Sequence, residues 1–167
     1  MFAIFRTEWL KMRKYRAFWV MLGIVALSYP GMNYMLYVNG YRDNLADPKV
    51  GPILQMLPNP FTFPDVWATV AYISSLFIFL PALLVIMFIT NEYTFKTHRQ
   101  NIIDGWSRRD FMLGKIIDVV LISLLITAVY TLTAFVIGTL NAGEGAAHPW
   151  EGSRYIALFF LQVLSQL

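Results

Sequence analysis

Three long stretches of this chain contain no Asp, Glu, Lys, Arg or His, and this feature limits the possible folds most strongly. They are residues 17–41, 66–91 and 119–143. Each holds roughly 25 residues, and a helix needs about 20 to cross the hydrocarbon core of a bilayer. Helices in the core of a soluble protein rarely run so far without a charge. The pattern therefore predicts three transmembrane helices, near Phe18–Val38, Val66–Thr90 and Ile116–Leu140.

The composition agrees with a membrane protein. Of the 167 residues, 57% are hydrophobic and 14% are charged, whereas soluble domains average about 45–50% and about 25%. The absence of cysteine excludes disulfides and Cys-based metal sites. The net charge of +3 is modest. No soluble fold is available to carry a basic face, so nucleic acid is not an expected partner.

A fourth apolar run, residues 155–167, ends with the chain. As a helix it would reach about 20 Å, which is short of the roughly 30 Å core. Either the chain stops inside a transmembrane helix or it ends with a half-buried one. We expect the first, so that this chain is the N-terminal portion of a longer protein.

The distribution of Lys and Arg predicts the orientation in the membrane. Residues 1–16 and 91–115 carry five such cations each, whereas the connecting segments 39–65 and 141–154 carry two and one. Basic residues accumulate on the cytoplasmic side. The N-terminus and the 91–115 loop are therefore predicted to be cytoplasmic, and the other two loops to lie outside.

The N-terminal segment 1–16 has the spacing of an amphipathic helix. Its aromatic and apolar residues at helical spacing are Phe2, Phe5, Trp9 and Met12, and its cations include Lys11, Arg13 and Arg16. Basic amphipathic helices with aromatic residues lie in the membrane interface. The pattern predicts a topology anchor whose cations face anionic lipid. A further hypothesis makes it a docking surface for a cytoplasmic partner.

The 91–115 loop also has helical patterning. Phe95, Ile102, Ile103 and Trp106 line one side of a possible short helix. Ser107 and Asp110 then have the spacing of a capping box, which would begin the third long helix. One interpretation is a rigid cytoplasmic helix that transmits a push from a soluble partner. The other is a solvated basic loop that determines topology alone.

Three further positions indicate where helices begin or bend. Asp65 follows a proline and suits the N-cap of the second long helix. Pro30 and Pro81 lie inside predicted spans, where a proline kinks a helix. We expect a kink at both.

The chain lacks the usual marks of an enzyme. It has no phosphate-binding loop and no hydrolase or zinc-protease motif. Its two histidines, His98 and His148, are predicted to lie on opposite sides of the membrane, so they cannot share a metal ion. Asp118 has the i, i+3 spacing for an ion pair with Lys115 at the membrane edge. The alternative for Asp118 is a transport or proton site.

The residues of the 91–115 loop resemble those of a known family. Glu92, Thr97–His98–Arg99, Ser107–Arg108 and Lys115 resemble the loop after the second helix of type-2 ATP-binding-cassette exporter permeases. Residues 8–19 resemble the interfacial elbow helix of the same family. The resemblance extends over roughly residues 1–140. Two positions differ, since Lys96 replaces a frequent glycine and Gly105 lies near a frequent proline.

The resemblance implies a role for each of these segments. Residues 97–104 would form a coupling helix that docks in a cleft of a separate ATPase subunit. Glu92 would pair with a basic residue of the elbow or of the partner, and Arg99 and Arg108 would bind the ATPase or lipid phosphate. The residues implied in ATPase docking are Glu92, Thr97, Arg99, Ile102, Ile103, Ser107 and Arg108, and those of the elbow are Trp9, Lys11, Arg13 and Arg16.

The sequence thus predicts an all-α polytopic transmembrane bundle with an N-terminal amphipathic elbow helix and a short cytoplasmic coupling helix, in one domain over residues 1–167. By the resemblance it is the permease subunit of an ATP-driven exporter in the inner membrane of a prokaryote. It would carry no cofactor and form a homo- or heterodimer. The alternatives are a small membrane scaffold or immunity-type protein without transport, a membrane-embedded enzyme, and a proton-driven carrier.

Overall fold

The computed structural model describes residues 2–94, 107–142 and 147–167. These residues are predominantly helical and contain no β-strand, so the predicted all-α membrane bundle is confirmed. The helices are α1 (Phe2–Lys14), α2 (Arg16–Met35), α3 (Asp43–Leu45), α4 (Gly51–Gln55), α5 (Val66–Ser75), α6 (Phe79–Thr94), α7 (Arg108–Leu140) and α8 (Arg154–Gln166). A π-helical turn, Leu36–Arg42, joins α2 to α3. The predicted coupling helix, residues 97–104, lies outside the described residues.

Within the described residues, two helical segments are each long and apolar enough to cross a membrane. They are Arg16–Leu45, with 30 residues, and α7, with 33 residues. A third candidate arises if α5 and the part of α6 that ends at Glu92 are counted as one bent span. Both long helices exceed the spans predicted from the uncharged stretches. The first continues past Val38 through the π-helical turn, and α7 begins eight residues before Ile116.

The third candidate span is bent by 52° between α5 and α6. Pro81 has no N–H, and its ring clashes with the carbonyl of the residue four positions earlier, Phe77. The Phe77 carbonyl accepts a hydrogen bond from the N–H of Leu80 at 3.1 Å instead. The predicted interruption at Pro81 is therefore present, and it lies one turn before the proline. Pro30, in contrast, lies within α2, which continues without a break.

Substitution of Pro81 by Ala is expected to reduce this bend, because the new N–H can donate to Phe77 and the ring clash disappears. With 1.5 Å of rise per residue, spin labels at positions 65 and 94 should move apart by about 4 Å if the 52° bend straightens. Electron–electron double resonance measures this distance, and the absence of native cysteine simplifies labelling. Pro30→Ala is the control and should leave the distance unchanged. An unchanged distance in Pro81→Ala would assign the bend to tertiary packing.

Helix α7 is the central element of the bundle, since α1, α2, α5, α6 and α8 all pack against it. The buried core contains mainly aromatic and branched side chains, including Phe18, Tyr29, Trp67, Ile122, Ile126, Tyr130, Phe159 and Val163. Buried polar groups also join the helices. The Tyr130 hydroxyl donates to the backbone carbonyl of Trp67 at 2.8 Å, and the Asn33 amide donates to the Ser74 hydroxyl at 3.3 Å.

The segment before α5 folds back onto the bundle. Phe61 and Phe63 are buried, and the Phe63 ring lies directly against Gly138 of α7. A Cβ atom at position 138 would lie 2.5 Å from this ring, so only glycine allows the contact. Asp65 occupies the N-cap position of α5, but its side chain makes no capping hydrogen bond. The capping role predicted for the Asp65 side chain is therefore wrong, since its own backbone is already helical.

The N-terminal helix packs on the bundle through one side. Ile4, Glu8 and Met12, spaced by four residues, are buried, whereas Phe5 and Trp9 are 41% and 37% exposed. The aromatic positions thus flank the packed face and do not form it. The reason is that α7 supplies a polar position for Glu8, which no pattern of apolar residues reveals.

Candidate functional site

Five charged side chains from three helices meet where α1 crosses α6 and α7. Helix α1 contributes Glu8 and Lys11, α6 contributes Glu92, and α7 contributes Lys115 and Asp118. The three carboxylate side chains are almost fully buried, with at most 5% of each exposed. Buried charges are stable only when they are paired. We call these five residues the ion network.

Lys115 is the centre of the ion network. Its Nζ atom lies 2.8 Å from Glu92 Oε2, 2.8 Å from Asp118 Oδ2 and 3.4 Å from Glu8 Oε2. The rings of Phe88 and Phe111 each have their centroids 5.6 Å from the same atom. One ammonium group therefore joins carboxylates of three helices and is shielded from solvent by aromatic rings. Its pairing with Asp118 has the i, i+3 geometry that the sequence indicates.

Lys11 makes a second bridge between two of the same carboxylates. Its Nζ atom lies 2.8 Å from Glu8 Oε1 and 3.2 Å from Glu92 Oε1. Each of the two glutamates thus uses one oxygen for Lys11 and the other for Lys115. Such shared pairing joins α1 to α6 and α7 more rigidly than an isolated surface pair, because loss of either lysine takes one of two cations from both buried glutamates.

A glycine in α7 makes room for the network. A Cβ atom at position 114 would lie 3.1 Å from Glu8 Oε1 and 3.5 Å from the carboxyl carbon of the same side chain. Without a side chain at Gly114, α1 packs closely on α7 and places Glu8 beside Lys115. Gly114 thus explains why an acidic residue of α1 can be fully buried at this crossing.

The same three carboxylates have the spacing of a possible cation site. Oxygen atoms of Glu8, Glu92 and Asp118 lie within 4.8 Å of one another. Lys115 already directs its ammonium group at all three. The arrangement therefore suits a protein ammonium as the counter-ion and has the character of a structural joint between helices.

The start of α7 is defined by the capping box that the sequence predicts. The Ser107 hydroxyl accepts from the Asp110 N–H at 3.1 Å, and the Ser107 N–H donates to Asp110 Oδ2 at 3.2 Å. Residues 95–106 therefore have defined attachment points, at α6 on one side and at Ser107 on the other.

The predicted site residues fall into three groups. Glu92, Lys11, Lys115 and Asp118 lie together in the ion network. The exposed ones are Trp9, Arg13, Arg16, Ser107 and Arg108. Thr97, Arg99, Ile102 and Ile103 lie outside the described residues, so the docking roles implied for them stay predictions.

Glu8 is the member of the network that the sequence interpretation missed. Two signals for it were present. It is the only acidic residue among five cations in residues 1–16, and it precedes Lys11 by three positions. An isolated acid at helical spacing from a cation indicates a pair, but the partners in α6 and α7 required the tertiary structure.

Comparison with known protein families gives one finding. A family model described as ABC-2 family transporter protein matches residues 4–165. Comparisons with curated proteins and with solved structures give no significant match.

Proposed function

This chain belongs to the ABC-2 transporter family as a membrane-spanning permease, and from that premise we propose that it couples ATP hydrolysis in a separate ATPase subunit to export of a substrate. The ATPase would bind the segment 95–106 on the cytoplasmic side, in the inner membrane of a prokaryote. Two permease subunits, identical or different, would form the substrate path.

The ion network is the observation that supports this proposal. Residues 95–106 lie between Glu92, three residues earlier, and Lys115, nine residues later. These two side chains are paired with each other at 2.8 Å and with Glu8 and Lys11 of α1. A partner that moved the segment would therefore act on α6, α7 and α1 together.

The architecture extends this linkage into the membrane. Helix α7 continues from Lys115 in the network to Leu140, and α2 follows α1 after Tyr15 alone. Helix α6 continues toward the 52° bend before Pro81. A displacement at the network would thus reach α6 and α7 through continuous helix, and α2 through the single residue Tyr15. Rigid helices that rock about a bundle are the usual means by which transporters alternate access.

A membrane scaffold or immunity-type protein without transport is the competing function. The ion network would stabilise such a protein equally well, so stability measurements do not separate the two. The difference lies in the segment 95–106. A permease requires it to bind an ATPase, whereas a scaffold does not.

Capture of the ATPase tests the proposal. The chain, within its full reading frame, is expressed with the ATPase encoded beside it, and the complex is purified through a tag on the permease. We expect stable capture, and we expect Arg99→Glu and Ile102→Asp each to reduce it at least about tenfold, since a buried interface charge costs several kcal/mol. Stimulation of ATPase activity in vesicles would accompany capture.

Matched controls exist in the segment before α5. Lys49→Glu reverses an exposed charge and Ile53→Asp places an acid at an exposed apolar position, both in the predicted outer loop. Both should leave capture unchanged. If the folded protein captured no ATPase, or if all four variants behaved alike, the coupling function would be rejected in favour of the scaffold.

A further inference from the structure

The outward side of the N-terminal helix carries charge of one sign. Four of the five cations in residues 1–16, namely Arg6, Arg13, Lys14 and Arg16, are exposed. The fifth, Lys11, is turned inward to the ion network. The single acid of the segment, Glu8, is fully buried. In the part of the chain that the structure describes, no salt bridge involves any of the four exposed cations.

The helix cannot rotate to bury this side against its own bundle. At about 100° per residue, Arg6 and Arg13 lie within about 20° of each other and nearly opposite Glu8. Because Ile4, Glu8 and Met12 are packed on α7, the Arg6–Arg13 side must face away from the protein. The ion network maintains this rotation, since turning α1 would break the pairs of Glu8.

Exposed aromatic side chains lie beside the cations. Phe5 and Trp9 occupy the flank between the buried face and the Arg6–Arg13 side, and Trp19 lies at the start of α2 with 44% of its surface exposed. The Trp19 indole N–H donates to the backbone carbonyl of Arg13 at 3.1 Å, which closes the corner between α1 and α2. Tryptophan with a polar and an apolar side is typical of the boundary between headgroups and acyl chains.

We propose that the exposed side of α1 and the start of α2 is a binding surface for anionic phospholipid, with Arg6, Arg13, Lys14 and Arg16 at the phosphate groups and Phe5, Trp9 and Trp19 at the acyl-chain boundary. Charge complementarity selects anionic over zwitterionic headgroups. The adjacent aromatic flank selects lipid over an acidic protein surface, which would leave these rings in water. The surface is separate from the segment 95–106 and does not depend on ATP coupling.

The surface has a consequence for the whole protein. Lipid that holds the exposed cations from outside also holds α1 in the rotation that the ion network requires. Anionic lipid should therefore stabilise the pairing of α1 with α6 and α7. If so, the thermal stability of the protein should depend on the charge of the lipid headgroup when the acyl chains are kept the same.

The test is native mass spectrometry of the detergent-purified chain with dioleoyl phosphatidylglycerol or dioleoyl phosphatidylcholine. We expect preferential binding of phosphatidylglycerol. The double variant Arg6→Gln/Arg13→Gln should lower the affinity for phosphatidylglycerol about 30-fold. Each cation near an anionic surface contributes about a fivefold factor to the affinity, and the variant removes two. The control Arg42→Gln/Lys49→Gln removes two exposed cations of the segment after α2 and should bind as the unchanged protein does.

A second variant separates charge from folding. Arg6→Lys/Arg13→Lys keeps both charges and should retain preferential binding. The proposal would be overturned by equal affinity for the two lipids, or by unchanged phosphatidylglycerol binding in Arg6→Gln/Arg13→Gln. Loss of ATPase capture in that variant with unchanged lipid binding would assign the surface to the ATPase. This result would leave the coupling function intact, so the two proposals fail independently.

Discussion

Replacement of Lys115 by Met is expected to destabilise the protein by about 3–5 kcal/mol, the usual cost of leaving a buried charge without its partner. Three buried carboxylates, those of Glu8, Glu92 and Asp118, would lose the ammonium group that lies within 3.4 Å of each. Methionine keeps most of the side-chain volume, so the effect reports the charge and not a cavity. Thermal unfolding in detergent, or titration with a denaturing detergent, measures the loss.

Two variants define what the Lys115 result means. Arg109→Met removes an exposed cation of the same helix and should change stability by no more than about 0.5 kcal/mol. Lys115→Arg keeps the charge and should recover part of the stability. If Lys115→Met were as stable as the unchanged protein, the ion network would contribute no net stability. The proposed linkage between α1 and the segment 95–106 would then lose its physical basis.

Replacement of Trp67 by Ala is expected to cost about 3–5 kcal/mol, as for other large aromatic residues in a packed core. The Trp67 side chain is completely buried. It stacks on Trp150 with centroids 6.4 Å apart, and its indole N–H donates to the Pro149 carbonyl at 3.0 Å. Its own backbone carbonyl accepts from Tyr130. One residue thus joins α5, α7 and the segment before α8.

The control for Trp67 lies on the same helix. Tyr72→Ala truncates a side chain that is 69% exposed, and it should have a much smaller effect on thermal unfolding. The melting temperature of Trp67→Phe should lie between those of Trp67→Ala and Tyr72→Ala. Phenylalanine keeps an aromatic ring but loses the hydrogen bond to Pro149, which is worth about 1 kcal/mol. Equal melting temperatures for Trp67→Ala and Tyr72→Ala would show that the aromatic cluster does not hold this end of the bundle together.

The features predicted correctly from the sequence are those that depend on neighbouring residues. The capping box needs only Ser107 and Asp110, three positions apart. The Lys115–Asp118 pair has the same separation within one helix. The interruption before Pro81 was expected from the missing N–H of proline, although Pro30 lies within a helix that continues without a break. In each case both partners lie within one helical turn, so the local geometry is known once the helix is recognised.

The pairing of Glu92 with a basic residue of the elbow, which the family resemblance implied, is present in the contact with Lys11. Other predictions that required knowledge of a distant partner were wrong or incomplete. The aromatic residues of α1 did not reveal its packed face, which has Glu8 at its centre because Gly114 and Lys115 lie opposite. The Asp65 side chain had the right residue type for a cap, but its own backbone is already helical and the side chain makes no capping hydrogen bond. Two of the helices extend past the predicted spans, because charged and polar residues at their ends continue the helices.

The sequence by itself determined the class of this protein. Uncharged stretches of bilayer length leave helices as the available structure, since each backbone polar group in lipid must be paired within the segment. The tertiary structure decided which charges meet. Glu8 is separated from Glu92 by 84 positions and from Lys115 by 107, and nothing in their local sequence specifies a common site. Their convergence depends on the crossing of α1 over α6 and α7 at Gly114, where burial makes the pairing of all five charges obligatory.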